Sequence, residues 1–221
     1  MKINDRKATI DALVAKTTYT AADLETVMAL LRSEGGCPWD IEQTHKSIRR
    51  DLIEETYEAL EAIDTDNMEL MCEELGDVML QVVFHSRIAE EDGDFTLTDV
   101  TTGVCRKMIE RHPHIFGEVK VENSEDVLRN WDKIKQDKKG QTTLAETLES
   151  VSKALPALIR AEKLAHKAAK QGVAAGTEYA GKSDDELAAA LFGIAAELDR
   201  RGLDAEKALY DECEKFIESS R

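Results

Sequence analysis

The chain has 221 residues, 42% of them hydrophobic and 33% charged, with 45 acidic against 29 basic side chains and a formal net charge of −16. A chain of this size can bury a core in one or two domains, while its acidity opposes non-specific binding to nucleic acid or to an anionic membrane, because phosphate is repelled over most of the surface. Any phosphate ligand must be met locally, by metal or by a basic patch.

Cys37, Cys72, Cys105 and Cys213 form no C-x-x-C pair and no regular spacing. Reduced thiols of a cytoplasmic protein are therefore expected, with neither a disulfide framework nor a zinc site. The stretch from Met1 to Lys16 is mixed polar with no apolar signal core, and no apolar run approaches the roughly 18 residues needed to span a bilayer. Neither secretion nor membrane insertion is expected.

Apolar residues recur at i, i+3 and i+4 between short polar breaks, and the chain holds only three prolines, which predicts an all-α fold. A first helix is expected over about 21–34, opened by Thr20 with Asp23 three residues on and closed by Gly35-Gly36. A Cys37-Pro38-Trp39-Asp40 turn follows. Helices over about 47–63 and 67–91 read as an αα-hairpin, with Asn67 as cap and Gly93 just past the end. A helix over about 99–111 ends where Pro113 pushes His112 out of helical geometry, and Ser124 caps another that reaches about 138. Together residues 1–140 make one helical bundle. Residues 138–150 read as a linker. Beyond it, helices over 155–171, from the Ser183 capping box to near Gly202, and from 204 onward form a helical appendage in 141–221, too few to bury their own apolar stripes.

Two acidic clusters stand out on the hairpin: Glu54-Glu55-x-x-Glu58 on its first helix and Glu74-x-x-Asp77 on its second. Residues three or four apart share a helix face, so each helix offers a pair of ligands. Alone, the first cluster reads as the solvated side of an amphipathic helix, with Ile53, Tyr57, Leu60 and Ile63 opposite. The second lies in a run apolar on nearly every side, which predicts a buried helix, and Lys and Arg are absent from 51 to 86. Buried carboxylates without a partner cost several kcal/mol or neutralise. Divalent ions between the helices would remove the repulsion, and an all-oxygen set suits Mg²⁺, with Mn²⁺ as a substitute. No Glu-x-x-His pair occurs in either helix of the hairpin, which argues against a di-iron bundle. Lys107 and Arg111, four apart on one face, fit an anionic ligand as well as they fit a helix C-terminus. Trp39 and Trp131 suit base stacking or simple core anchoring.

The ordered set Cys37-Pro38-Trp39-Asp40, Gln43-Thr44, Glu54-Glu55-Thr56-Tyr57-Glu58, Glu74-Leu75-Gly76-Asp77, Arg111-His112-Pro113-His114-Ile115-Phe116 and Trp131-Asp132-Lys133-Ile134-Lys135 resembles the MazG nucleoside triphosphate pyrophosphohydrolases over about the first 140 residues. The resemblance implies an all-α, dimeric bundle that binds Mg²⁺ and splits nucleoside triphosphates into monophosphate and pyrophosphate, in nucleotide-pool control or house-cleaning. By position it makes Glu55, Glu58, Glu74 and Asp77 metal ligands. It places Glu54 with Glu55 and Glu58 in the catalytic group, where it holds a water or a further ion. Lys107 and Arg111 then meet the triphosphate, and Trp131 with Lys135 lies near the nucleotide. Two other readings stand beside it: a narrower dUTP- or dCTP-type pyrophosphohydrolase, and a non-catalytic nucleotide-sensing or scaffolding protein. Longer members repeat the bundle, and the second half here resembles a worn copy. Ala189 stands where the E-x-x-D aspartate would fall after Glu186, and Ser219 where an arginine would follow Lys215. That half is expected to be catalytically dead.

Overall fold

Side-chain caps fix where most helices of this chain begin. The computed structural model describes residues 6–127, 130, 131, 134 and 143–220, and among them the regular structure is helical, with no strand. The helices are α1 (Arg6–Val14), α2 (Ala21–Leu31), α3 (Pro38–Glu42), α4 (Arg49–Asp64), α5 (Met68–Asp92), α6 (Leu97–Arg111), α7 (Pro113–Phe116), α8 (Leu144–Glu149), α9 (Ala157–Lys170), α10 (Asp184–Arg200) and α11 (Ala205–Glu218). Helical backbone also occurs at 124–127, 130, 131 and 134. Thr20 and Asp23 form the expected reciprocal box, Asn67 accepts from the Leu70 amide, and Gly93 ends α5 at φ 81°, a left-handed conformation that costs glycine nothing. Contacts divide the chain into Met1–Glu110 and Arg111–Arg221, whereas composition placed the change at 140/141.

In the first unit α4 and α5 pack along each other as the expected hairpin, and α2 packs on α5. The turn between them is short, and Asp66 takes it at φ 52°, a region that aspartate tolerates better than most residues. Met28, Ile48, Val83, Phe84 and Ile88 form the core. Arg32 braces it from the edge. Its guanidinium, nearly all buried, pairs with Glu91 at 2.8 Å, lies 5.4 Å from the Phe84 ring centroid, and donates to the carbonyls of Asp40 and Gln43. The short helix α3, which carries Trp39, is thereby tied to α2 and α5.

The expectation of a wholly buried second hairpin helix needs correction. Glu74, Gln81, Val83, Phe84, Ser86, Ile88 and Ala89 of α5 are buried, but Leu75, Met79 and Val82 are 50%, 42% and 39% exposed. Two helices pack on α5, and its apolar residues occupy a third side as well. Ile53, Tyr57, Leu60 and Ile63 of α4 are exposed too, so both helices of the hairpin show apolar side chains to solvent.

In the second unit α8, α9 and α11 enclose Leu148, Val151, Leu164, Ala168, Cys213 and Ile217. α8 lies inside the stretch read as a linker. Thr143 and Glu146 cap it reciprocally, and Leu148 is fully buried, so hydrophobic docking outweighs the polar composition of its flanks. Arg160 of α9 is completely buried, pairs with Glu214 and lies 4.7 Å from the Tyr210 ring centroid. Lys153 reaches the same Glu214 at 2.8 Å. α10 leaves Leu191, Phe192 and Ile194 exposed, as expected of too few helices. Its Glu186 is used as a cap, accepting from the Ser183 amide. Truncating either core, by Met28→Ala or Leu164→Ala, should cost about 2–5 kcal/mol in urea unfolding, the usual range for emptying a packed aliphatic site.

Candidate active site

Glu55 and Glu58 lie one helical turn apart on α4, and the hairpin brings Glu74 of α5 against them. One carboxylate oxygen from each of the three lies within 4.8 Å of the others. Glu74 is buried at 8% exposure, Glu55 is half-buried and Glu58 is exposed. Crowding shows in their proton affinities. Burial raises the Glu55 carboxyl above the usual carboxylate range, and the charges of Asp77, Glu58 and Glu74 raise it further. Burial likewise raises Glu74, followed by the charges of Glu58 and Asp77. Asp77 thus acts electrostatically on both helices, although its oxygens are outside the close trio. Glu54 stands apart, held by Arg50 at 2.8 Å, one turn back on the outer side of α4.

This arrangement fits a hard divalent cation. The donors are all carboxylate oxygens, the set that Mg²⁺ and Mn²⁺ prefer. The raised proton affinities of Glu55 and Glu74 reflect crowded negative charge of the kind that a cation would neutralise. The sequence between 51 and 86 contains no lysine or arginine to do it instead.

The other sequence-derived residues are distributed as follows. Lys107 is exposed on α6, and Arg111 closes that helix. The Arg111 guanidinium lies 5.0 Å from the Trp131 ring centroid, and the His112 ring meets the same indole edge-on at 5.0 Å. This basic and aromatic group forms within the second unit. Trp39 is 58% exposed on α3. Lys135 lies outside the described residues.

Sequence reasoning missed one contact. His45, in the loop before α4, and His85 of α5 face each other with their Nδ1 atoms 2.8 Å apart and ring planes 6° from parallel, so the rings lie edge to edge and share one proton. His85 lies one turn beyond Gln81, which lies one turn beyond Asp77. A helical plot of α5 would have shown that stripe, but no local pattern announces a partner 40 residues earlier.

Residues 43–116 match the family model described as the MazG nucleotide pyrophosphohydrolase domain. A 139-residue stretch, 63% of this chain and 28% of the relative, is 51% identical to the uncharacterized protein YabN of Bacillus subtilis (strain 168). Over 150 residues, 67% of this chain and 57% of the relative, it is 41% identical to the nucleoside triphosphate pyrophosphohydrolase of Escherichia coli (strain K12). An uncharacterized 26.1 kDa protein in the blaB 3' region of Streptomyces cacaoi is 37% identical over 188 residues, 84% of this chain and 76% of the relative.

The chain carries a MazG domain. It spans less than two thirds of the Bacillus and Escherichia relatives, at 28% and 57% of their lengths. The MazG match takes in Glu54, Glu55, Glu58, Glu74, Asp77, Lys107 and Arg111, and ends before Trp131. The alignment with the Streptomyces protein is too long to lie within the first unit, so likeness to that relative continues into the second.

The carboxyl groups of Glu55 and Glu74 bind protons more tightly folded than unfolded. The stability they contribute is fully present below their unfolded pKa of about 4.5 and is lost as pH rises through the higher folded values. In metal-free buffer the Tm should therefore be higher for Glu74→Gln than for the parent at about pH 8, with the gap closing toward about pH 5. Mn²⁺ should raise the parent Tm at about pH 8 and leave that of Glu74→Gln nearly unchanged; thermal melts with and without the ion measure both.

Proposed function

We propose that this chain is a Mg²⁺-dependent nucleoside triphosphate pyrophosphohydrolase that releases nucleoside monophosphate and pyrophosphate, acting in nucleotide-pool control or house-cleaning in the cytoplasm. The observation that carries the reading is the carboxylate trio, gathered from two helices within 4.8 Å and lying in the span that matches the MazG domain. Residues 1–140 are the catalytic domain in this reading, and 141–221 a linker and helical appendage derived from a degenerate second copy.

Glu55, Glu58, Glu74 and Asp77 would hold Mg²⁺, with Mn²⁺ as a substitute. Such an ion, when bound, lowers the pKa of water and offsets charge on the phosphoryl oxygens. Around it, the chain's own residues have three tasks. Glu55 and Glu58 fix the position of the reacting α-phosphorus relative to α4. Glu54 orients the attacking water, and its exposed ion pair with Arg50 is weak enough to exchange for that role. Lys107 and Arg111 meet the triphosphate, while Trp131 and Lys135 lie by the nucleotide. The cation–π contact with Trp131 steadies the Arg111 guanidinium, a fork of donors suited to phosphate oxygens.

A homodimer accompanies this reading. Ile53, Tyr57 and Leu60 of α4 and Leu75, Met79 and Val82 of α5 are each 39–60% exposed, apolar surface of the kind that soluble proteins cover with a partner.

The direct test is to incubate the full chain with a panel of nucleoside triphosphates and Mg²⁺ and resolve the products. Monophosphate and pyrophosphate are expected; diphosphate and orthophosphate would contradict attack at the α-phosphorus, and binding without turnover would favour a nucleotide sensor. Glu58→Gln and Asp77→Asn should each lower kcat/KM by about 100-fold or more, as loss of a ligand to a catalytic ion does. Sedimentation should show a dimer that Met79→Asp converts to monomer.

A further inference from the structure

The stripe on α5 that holds Glu74 and Asp77 does not end with them. At 100° per residue, Glu74, Asp77, Gln81 and His85 all fall within about 80° of one another. At 1.5 Å per residue, Gln81 stands about 10 Å and His85 about 16 Å along the axis from Glu74. From Asp77 the same two residues stand about 6 Å and about 12 Å along the axis, within reach of the sugar and of the far edge of the base when the α-phosphate sits at the carboxylates. The antiparallel register of the hairpin carries the same line across to the other helix. Glu55 and Glu58 of α4 face Glu74, and His45, before α4 starts, faces His85.

Three features of this extension fit a ligand that is polar and uncharged. Gln81 is 94% buried, and its Oε1 has no hydrogen-bond partner, a cost of about 1–3 kcal/mol that a ligand donor would relieve once the amide turned toward it. The His45–His85 bond consumes one Nδ1 proton and one Nδ1 lone pair. With both rings neutral, one Nε2 is left as a donor and the other as an acceptor, at opposite ends of the pair, so a polar group of a nucleoside can be met in either sense. Burial and the neighbouring His45 lower the His85 pKa, which favours that neutral form. The placement is also built rather than incidental, because Arg32 grips the carbonyls of Asp40 and Gln43 immediately before His45.

We propose that the His45–His85 pair and Gln81 form the nucleoside-reading end of the site, contacting base or ribose and not phosphate. The proposal rests on the pyrophosphohydrolase reading, since it takes the carboxylates as the phosphate end. His45 and His85 are specificity-determining in this role, and Gln81 is the residue between them and the chemistry.

Isothermal titration separates the two ends. The full-length parent, His45→Phe and Gln81→Met are titrated, in Mn²⁺, with the α,β-methylene analogues of ATP, GTP, CTP and UTP and with inorganic tripolyphosphate, which has no nucleoside. His45 is exposed, so its variant does not depend on repacking the core. Affinity for at least one nucleotide should fall by about tenfold or more and the order among the four bases should change, as when a hydrogen-bonding site is disabled. Tripolyphosphate should bind the variants as it binds the parent. Equal losses for all four nucleotides and for tripolyphosphate would overturn the proposal in favour of a structural role, and so would unchanged nucleotide binding. Failure of the parent to release pyrophosphate from any triphosphate, with base-dependent binding intact, would instead overturn the pyrophosphohydrolase reading and leave nucleoside recognition standing.

Discussion

Mutual repulsion among carboxylates on α4 and α5 is the constraint around which the first unit is organised. Two helices carrying Glu55, Glu58, Glu74 and Asp77 at one level would move apart if nothing else joined them. The opposing forces lie elsewhere on the same helices. α4 buries the small side chains of Ala59 and Ala62, and α5 drives Val83, Phe84 and Ile88 into a core shared with Met28 of α2 and Ile48 at the start of α4. Apolar burial of several large side chains, each contributing about 1.5–3 kcal/mol, is large enough to hold an unfavourable electrostatic arrangement in place. The fold thus keeps a charge deficit in a fixed geometry, which is the requirement for a preorganised cation site.

The same unit uses its charges in the opposite sense at its other end. Arg32, Arg87, Glu90 and Glu91 form a compensated network beside Phe84, with pairs at 2.7–3.0 Å. α5 therefore runs from uncompensated anions near its start to paired ions near its finish. Of these four residues Arg32 reaches furthest, because its donors also fix the backbone carbonyls of Asp40 in α3 and of Gln43 just after it. The short helix with Trp39 and the loop with His45 are held from that one side chain.

The helical architecture was legible because its signals are local. Thr20 with Asp23, Asn67, Gly93 and Ser183 with Glu186 each specify a terminus within four residues. Glu55, Glu58 and Glu74 were legible because helical spacing and one short turn bring them together. Other features depend on tertiary neighbours. Leu75, Met79 and Val82 made α5 look enclosed, since composition states how apolar a side is but not whether anything covers it. α1 has too weak an apolar stripe to declare itself. α8 was hidden by surrounding threonines and glycine, although Thr143 and Glu146 were the capping box that marks it. Glu54 and Glu55 are adjacent in the motif, but only the fold shows that one turns toward α5 and the other toward Arg50.

The Arg160–Glu214 pair gives the second unit an acid sensitivity of its own. Hydrogen bonds from Lys153 and Arg160 hold the Glu214 carboxyl below the usual range, so its contribution is present above about pH 4.5 and disappears as acid titrates the folded group. Glu55 and Glu74 behave in the reverse direction. One polypeptide therefore contains a carboxylate cluster that acidification relaxes and an ion pair that acidification unlocks.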